Sequence, residues 1–140
     1  MLKSPKVLFF KTSTFNHSDI RRHIIGISGK LNLSNKMKQM KIIFVSDHSV
    51  IKKEIIGNHL HKKSSDQWEY IYVINDKKKK FIFEFRYKNY EESIKQKKLK
   101  SGDCVIIPPG CALGLLPLEK NSFIIEISNK IYEDNYEKVN

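Results

Sequence analysis

The chain has little arginine, little cysteine and no long apolar run, and each shortage closes off a class of protein. Lysine and arginine together make up 26 of the 140 residues and the formal net charge is +11, yet only Arg21, Arg22 and Arg86 are arginine. Arginine is the side chain suited to bidentate recognition of phosphate and of guanine edges. A basic balance made almost wholly of lysine fits a solvated surface. Attraction of an anionic small-molecule substrate is the next reading. Specific nucleic-acid binding would rest only on charge and scattered aromatics and is not expected. Cys104 and Cys111 are the only cysteines. Two thiols make no disulfide framework and suit a reducing, cytoplasmic compartment. No apolar run approaches the roughly 18 residues of a spanning helix, so no membrane partner is expected. Val7 to Phe10 is too short for the apolar region of a secretory signal.

The length suits one domain with a real core. Residues 1–40 are poorly periodic and read as an N-terminal extension, irregular or partly helical. It is expected to pack on a barrel or to be swapped between two. Within it, KVLFF at 6–10 reads as a strand that joins either a partner's sheet or its own, and NKMKQMK at 35–41 as a helical turn or a loop. From Lys41 the pattern changes to short β-branched and aromatic runs between polar turns. Strands are expected at 41–45, 50–56, 68–74, 80–87, 104–107 and 122–128, with shorter pieces near His59 and Leu113. Asn75-Asp76 followed by Lys77 to Lys80 reads as a charged hairpin tip. Many short strands imply an all-β sandwich or barrel over residues 41–130. The polar tail, 131–140, has only Ile131, Tyr132 and Tyr136 to pack with.

Successive strand side chains point to opposite faces, so His59 and His61 share a face. In WEYIYVI, Glu69 shares one face with Ile71 and Val73, and Trp68, Tyr70 and Tyr72 share the other. Alternation alone leaves open which face is inside. If it is the aliphatic one, a carboxylate and two imidazoles converge in one cavity, and a buried carboxylate needs a partner or a shifted pKa.

GNHLHKKSSDQWEYIYVIND resembles the first motif of the cupins, with Gly57, His59, His61 and Glu69 on its positions. The gap from His61 to Glu69 is longer than usual, and Asn75-Asp76 replaces the turn glycine. GDCVIIPPGCALG, Gly102 to Gly114, is similar to the second motif, but leucine stands at Leu113 where the family has histidine. The resemblance implies a double-stranded β-helix, the jelly-roll barrel of the RmlC-like cupins, and a homodimer. Metal-binding cupins use three histidines and a glutamate. Here His59, His61 and Glu69 are the remaining donors for a divalent transition metal, with Cys104 or Cys111 a weak substitute for the missing ligand, and no cofactor is favoured.

A narrower resemblance fits the missing histidine better. HLHKK looks like the His-x-His-Lys of the metal-free nucleotide-sugar 3,4-ketoisomerases, and IPPGCALG like a segment of the 3,5-epimerases. The tail EISNKIYEDNY is also similar to the ketoisomerase end, whereas their glutamine has only Gln67 as a candidate. The resemblance implies a small-molecule substrate such as a dTDP-sugar, with His59 and His61 as proton-transfer catalysts. Lys62, Trp68, Tyr70, Tyr72 and Arg86 are the candidate substrate-binding residues: Tyr70, Tyr72 or Lys62 at a developing enolate, Lys62 and Arg86 at the diphosphate, and Trp68 or a tyrosine on the base. The alternatives are an accessory cupin that binds a sugar or another small molecule without chemistry, and the metal-dependent cupin already described.

Overall fold

The alternating pattern does produce strands, and it begins well before Lys41. The computed structural model describes residues 6–21, 23–28, 37–61, 66–75, 80–88, 93–130 and 136–138. Among them lie β1 Leu8–Lys11, β2 Ser13–Ser18, β3 His23–Ser28, β4 Gln39–Phe44, α1 Asp47–Lys52, β5 Ile56–His61, β6 Glu69–Ile74, β7 Phe83–Lys88, β8 Lys95–Leu99, β9 Asp103–Ile107, β10 Ala112–Pro117, β11 Phe123–Ser128 and β12 Tyr136–Lys138. Two five-stranded sheets, ordered β1-β9-β6-β11-β4 and β12-β5-β10-β7-β8, carry the structure, and β2 and β3 form a separate hairpin. All recorded pairings are antiparallel. The expected barrel is thus a sandwich of two sheets.

Three expectations are corrected. The N-terminal segment is neither irregular nor helical where it is described. It gives β1, β2 and β3, and β1 joins its own chain's β9 with Leu8 opposite Ile106. Residues 39–41, read as the end of a helical turn or loop, open β4. The strand expected at 50–56 does not form: 50–52 end a helix, 53–55 connect, and only Ile56 is strand, opening β5. Ser46 caps α1 by accepting a hydrogen bond from the Ser49 N–H at 3.2 Å, Asp47 sits in the first turn, and Lys53 closes the helix in the left-handed region. Those end signals outweigh the β-branched run VIKKEII. The charged tip at 77–79 lies outside the described residues.

The core lies between the two sheets. Ile71 and Val73 of β6, Val105 and Ile107 of β9, and Ile124 of β11 meet Phe83 and Phe85 of β7, Leu99 of β8, and Leu113 and Leu115 of β10. All are buried, and each such side chain contributes about 1.5–3 kcal/mol on burial. The first sheet is apolar on its other face as well. Tyr72, Cys104 and Ile106 are buried there with Phe10, Trp68, Tyr70, Ile125 and Ile127, and Ile27 of the β2–β3 hairpin packs against them. Toward the β4 edge the cover ends, and Met40, Ile42 and Phe44 are exposed.

Candidate functional site

The sandwich has two ends, distinguished by which connections leave them. The links β4–α1–β5, β6–β7, β8–β9 and β10–β11 gather at one end. The links β5–β6, β9–β10 and β11–β12 gather at the other, which holds the motif residues.

A bulge sets the register of β5. His59 lies opposite Leu113, but Leu115 pairs with Ile56, so three steps along β5 match two along β10. Gly57 sits within that interval at φ 63°, a conformation glycine adopts without strain. His61, two residues on, pairs with Tyr136 of β12, so both histidines stand on one strand of the second sheet. Lys62 lies outside the described residues.

Across the sandwich, β6 settles the alternation that sequence left open. Glu69 is 1% exposed, and it shares the inner face with Ile71 and Val73. It is paired with Ile107 of β9 and Ser128 of β11. One step along, Glu126 of β11 pairs with Ile71 and with Lys41 of β4. The Lys41 Nζ lies 3.3 Å from Glu126 Oε1, with the lysine side chain 34% exposed and the glutamate 7%. Tyr87 of β7 lies opposite Leu113. Its ring stacks on Phe85 at 5.1 Å and meets Phe9 edge-on at 5.7 Å, so an inward phenol stands at the same end.

The structure does not bring the other sequence candidates to this face. Once Ile71 takes Glu69 inward, Trp68, Tyr70 and Tyr72 must turn outward, and they pack in the second apolar cluster. Tyr72 is hydrogen-bonded to Cys104. Burial first, then the neighbouring thiol, pushes its phenol above the usual range. These aromatics are core of the outer face rather than lining for the histidine strand. Arg86 alternates outward from Phe85 and Tyr87, and its Nε donates to Glu84 Oε1 at 2.9 Å on the outside of the second sheet. Gln67 is buried at the start of β6. Sequence reading missed Lys41 and Glu126. In FIIEIS both faces carry isoleucine, so alternation gave no reason to turn Glu126 inward.

Leu113 occupies the register position facing His59 and is buried in the apolar core, with no lone pair to offer. Cys111 belongs to the same apolar cluster. His59, His61 and Glu69 are the donors left for a metal, a three-ligand set of the open kind rather than the four-ligand one.

No family profile and no curated protein matches the sequence. Solved structures do match in fold. The sugar 3,4-ketoisomerase QdtA from Thermoanaerobacterium thermosaccharolyticum, in complex with TDP, superposes with a TM-score of 0.65 at 19% identity, covering 94% of this chain and 86% of that one. The TDP-quinovose 3,4-ketoisomerase WlaRB from Campylobacter jejuni gives 0.65 at 11% identity over 95% and 92%. RmlC from Streptococcus suis, in complex with dTDP-D-xylose, gives 0.65 at 18% identity over 97% and 72%. This chain therefore has the β-sandwich fold of the RmlC-like cupins.

Proposed function

We propose that this protein modifies a nucleotide-linked sugar, isomerising a 4-keto-6-deoxyhexose carried on a nucleoside diphosphate such as dTDP. The reading is supported by a fold shared with solved 3,4-ketoisomerases, together with the His-x-His stretch that places His59 and His61 on one strand, β5.

The chemistry suits two histidines. One neutral imidazole removes the proton from sugar C3, beside the C4 carbonyl. An enediol forms across C3 and C4 as O4 takes up a proton, the O3 hydroxyl then gives up its proton, and a proton returns to C4 to leave a 3-keto sugar. No redox partner or metal is consumed. Histidine is apt because its ordinary pKa lies near neutrality, and such acid–base help is worth about a hundred- to ten-thousandfold in rate. The developing enolate oxygen needs a donor. With Tyr70 and Tyr72 facing outward, Tyr87 is the phenol best placed for this role.

The test is turnover of a dTDP-4-keto-6-deoxyhexose by metal-stripped protein in deuterated water. Deuterium should enter the carbon beside the carbonyl, and His59→Ala and His61→Asn should each lose nearly all exchange while unfolding at the parent temperature. Absence of exchange with every nucleotide-linked ketosugar tried would sink the proposal. Leu113, standing where cupin relatives carry histidine, favours a second reading. An accessory cupin would bind the same ligands with no deuterium incorporation.

A further inference from the structure

Three rows of side chains cross the outer face of the first sheet. One runs from β4 to β1 through Ile42, Ile125, Tyr72, Cys104 and Phe10. The next runs through Met40, Ile127, Tyr70, Ile106 and Leu8. A shorter row holds Phe44, Phe123 and Ile74. No position in these rows is charged, although 29% of the chain is Asp, Glu, Lys or Arg. A sheet face that meets water alternates to polar side chains, so these rows have the composition of a covered face.

The chain itself covers only part of it. Ile27 of the β2–β3 hairpin packs on Tyr72, Cys104 and Ile106, over β6 and β9. Beyond the hairpin the face opens. Met40, Ile42 and Phe44 are 63%, 52% and 74% exposed, and Phe123, Ile125 and Ile127 beside them are half-buried. At about 200 Å² per large side chain, the three residues on β4 alone leave roughly 400 Å² open, a size at which an apolar patch marks an interaction site. Their half-buried neighbours bring the face toward the roughly 800 Å² per partner of a stable complex.

The occupant that fits is a second copy of this chain. With a net charge of +11, two copies repel over most of their surface, and least across the uncharged rows. An anionic partner is drawn to the lysines instead. The hairpin makes a step beside the open rows, which a flat lipid surface does not match. A copy turned about a two-fold axis does, because its own step falls beside the first. Edge-to-edge pairing is opposed by β4 itself. Its mid-strand Lys41 pairs with Glu126 and turns inward, the kind of charge that keeps an open edge from taking another strand.

We infer that two copies pack the outer faces of their first sheets together about a two-fold axis, with Met40, Ile42 and Phe44 at the contact. The two sheets stand about 10 Å apart, as in a sandwich. The space between the sheets of each copy lies outside the contact, so the interface is independent of the sugar chemistry.

Sedimentation velocity over a wide range of concentration tests this. The parent should sediment as a dimer of the 16.5 kDa chain. Ile42→Lys with Phe44→Lys sets like charges against one another and should raise the dimer dissociation constant about a hundredfold, with the circular dichroism of the parent. Should that double variant fail to fold, Met40→Lys alone carries the measurement, with a rise of about tenfold. A parent that stays monomeric overturns the inference, and if it also co-sediments with phosphatidylglycerol vesicles the face belongs to a lipid surface. A dimer that the lysines leave unweakened overturns it as well, because the copies then meet elsewhere. A monomeric parent that still exchanges deuterium into a nucleotide-linked ketosugar defeats this inference and leaves the proposed function standing.

Discussion

The two ends of the sandwich both bury polar groups, but they satisfy them in opposite ways. At the end away from the histidines the groups are neutral and short, and several bond to backbone. The Ser101 hydroxyl donates to the Asn75 carbonyl at 2.7 Å and accepts from the Asn75 N–H at 3.0 Å. The Asn75 amide reaches Ser122 Oγ at 3.3 Å, and Ser122 Oγ donates to the Glu119 carbonyl at 2.6 Å. Gly102 N donates to the Val73 carbonyl at 2.9 Å, and Thr12 Oγ1 donates to the Gly102 carbonyl at 2.8 Å. At the histidine end the buried Gln67 and Ser128 are joined by charged side chains, and Lys41 and Glu126 meet side chain to side chain at 3.3 Å. The first pattern ties four connections together at modest desolvation cost. The second adds charged groups, whose desolvation costs more.

The largest effect that would separate the ends is expected at Gly102. Its φ is +97°, and an added Cβ would lie 2.6 Å from the Thr12 carbonyl oxygen, which is backbone and cannot give way cheaply. Gly102→Ala should cost about 3 kcal/mol, combining backbone strain with the broken approach of the β1–β2 link. Denaturant unfolding measures it. A variant as stable as the parent would remove Gly102 from the structural end.

Next comes the neutral network itself. Ser101→Ala deletes the hydroxyl that serves the Asn75 backbone on both sides and also lies 3.2 Å from Thr14 Oγ1. Leaving those groups unpaired should cost about 1–3 kcal/mol. Thermal unfolding checks the loss.

How far this division was legible in sequence depends on the local signal. The strands at 68–74, 104–107 and 122–128 stand within a residue or two of expectation, because β-branched and aromatic runs ended at clear turns. The glycine-proline stretch around Gly102 and Pro108 pointed to the turns that bound β9. β8 went unseen because KQKKL carries one core residue, Leu99, and four exposed positions. Lysine there suits a sheet edge and hides the period. β2 and β3 escaped because their alternation was read through loop-forming residues. The histidine pair was legible as two residues of one strand, but the bulge beside Gly57 was not, because a lone glycine in a strand does not announce one. The aromatic candidates on β6 failed for a reason already present in the sequence: the alternation that turned Glu69 inward had to turn them out.

The histidine end should respond in the opposite sense. Replacing the ion pair together, Lys41→Met with Glu126→Leu, should leave stability unchanged or raise it by about 1 kcal/mol, because two desolvated groups give way to packing. Glu126→Leu alone leaves Lys41 without its partner and should destabilise. A double variant that unfolds well below the parent temperature would show the pair to be structural, and the contrast between the ends would collapse.

The smallest effect belongs to a polar pair at neither end, on the outer face of the first sheet. Burial is the main cause that raises the Cys104 thiol from its ordinary 9.0 to about 12; the Tyr72 hydrogen bond works against it, and the Asp103 charge adds to it. Both thiols are free and buried, and a thiol held protonated is a poor nucleophile. Native protein at pH 8 should therefore resist alkylation at Cys104 and react there only after unfolding, as peptide mass mapping would read. The pH dependence follows from the direction of the shift. The folded state holds this proton more tightly than the unfolded chain, so the contribution is full below pH 9 and is lost as pH rises from 9 toward 12. Tyr72, shifted in the same direction, adds to the loss from pH 10 upward. Cys104→Ala should flatten the first part of that alkaline decline and leave neutral stability nearly unchanged. An equal decline in the variant would assign the alkaline loss to other groups and leave the outer face without a part in it.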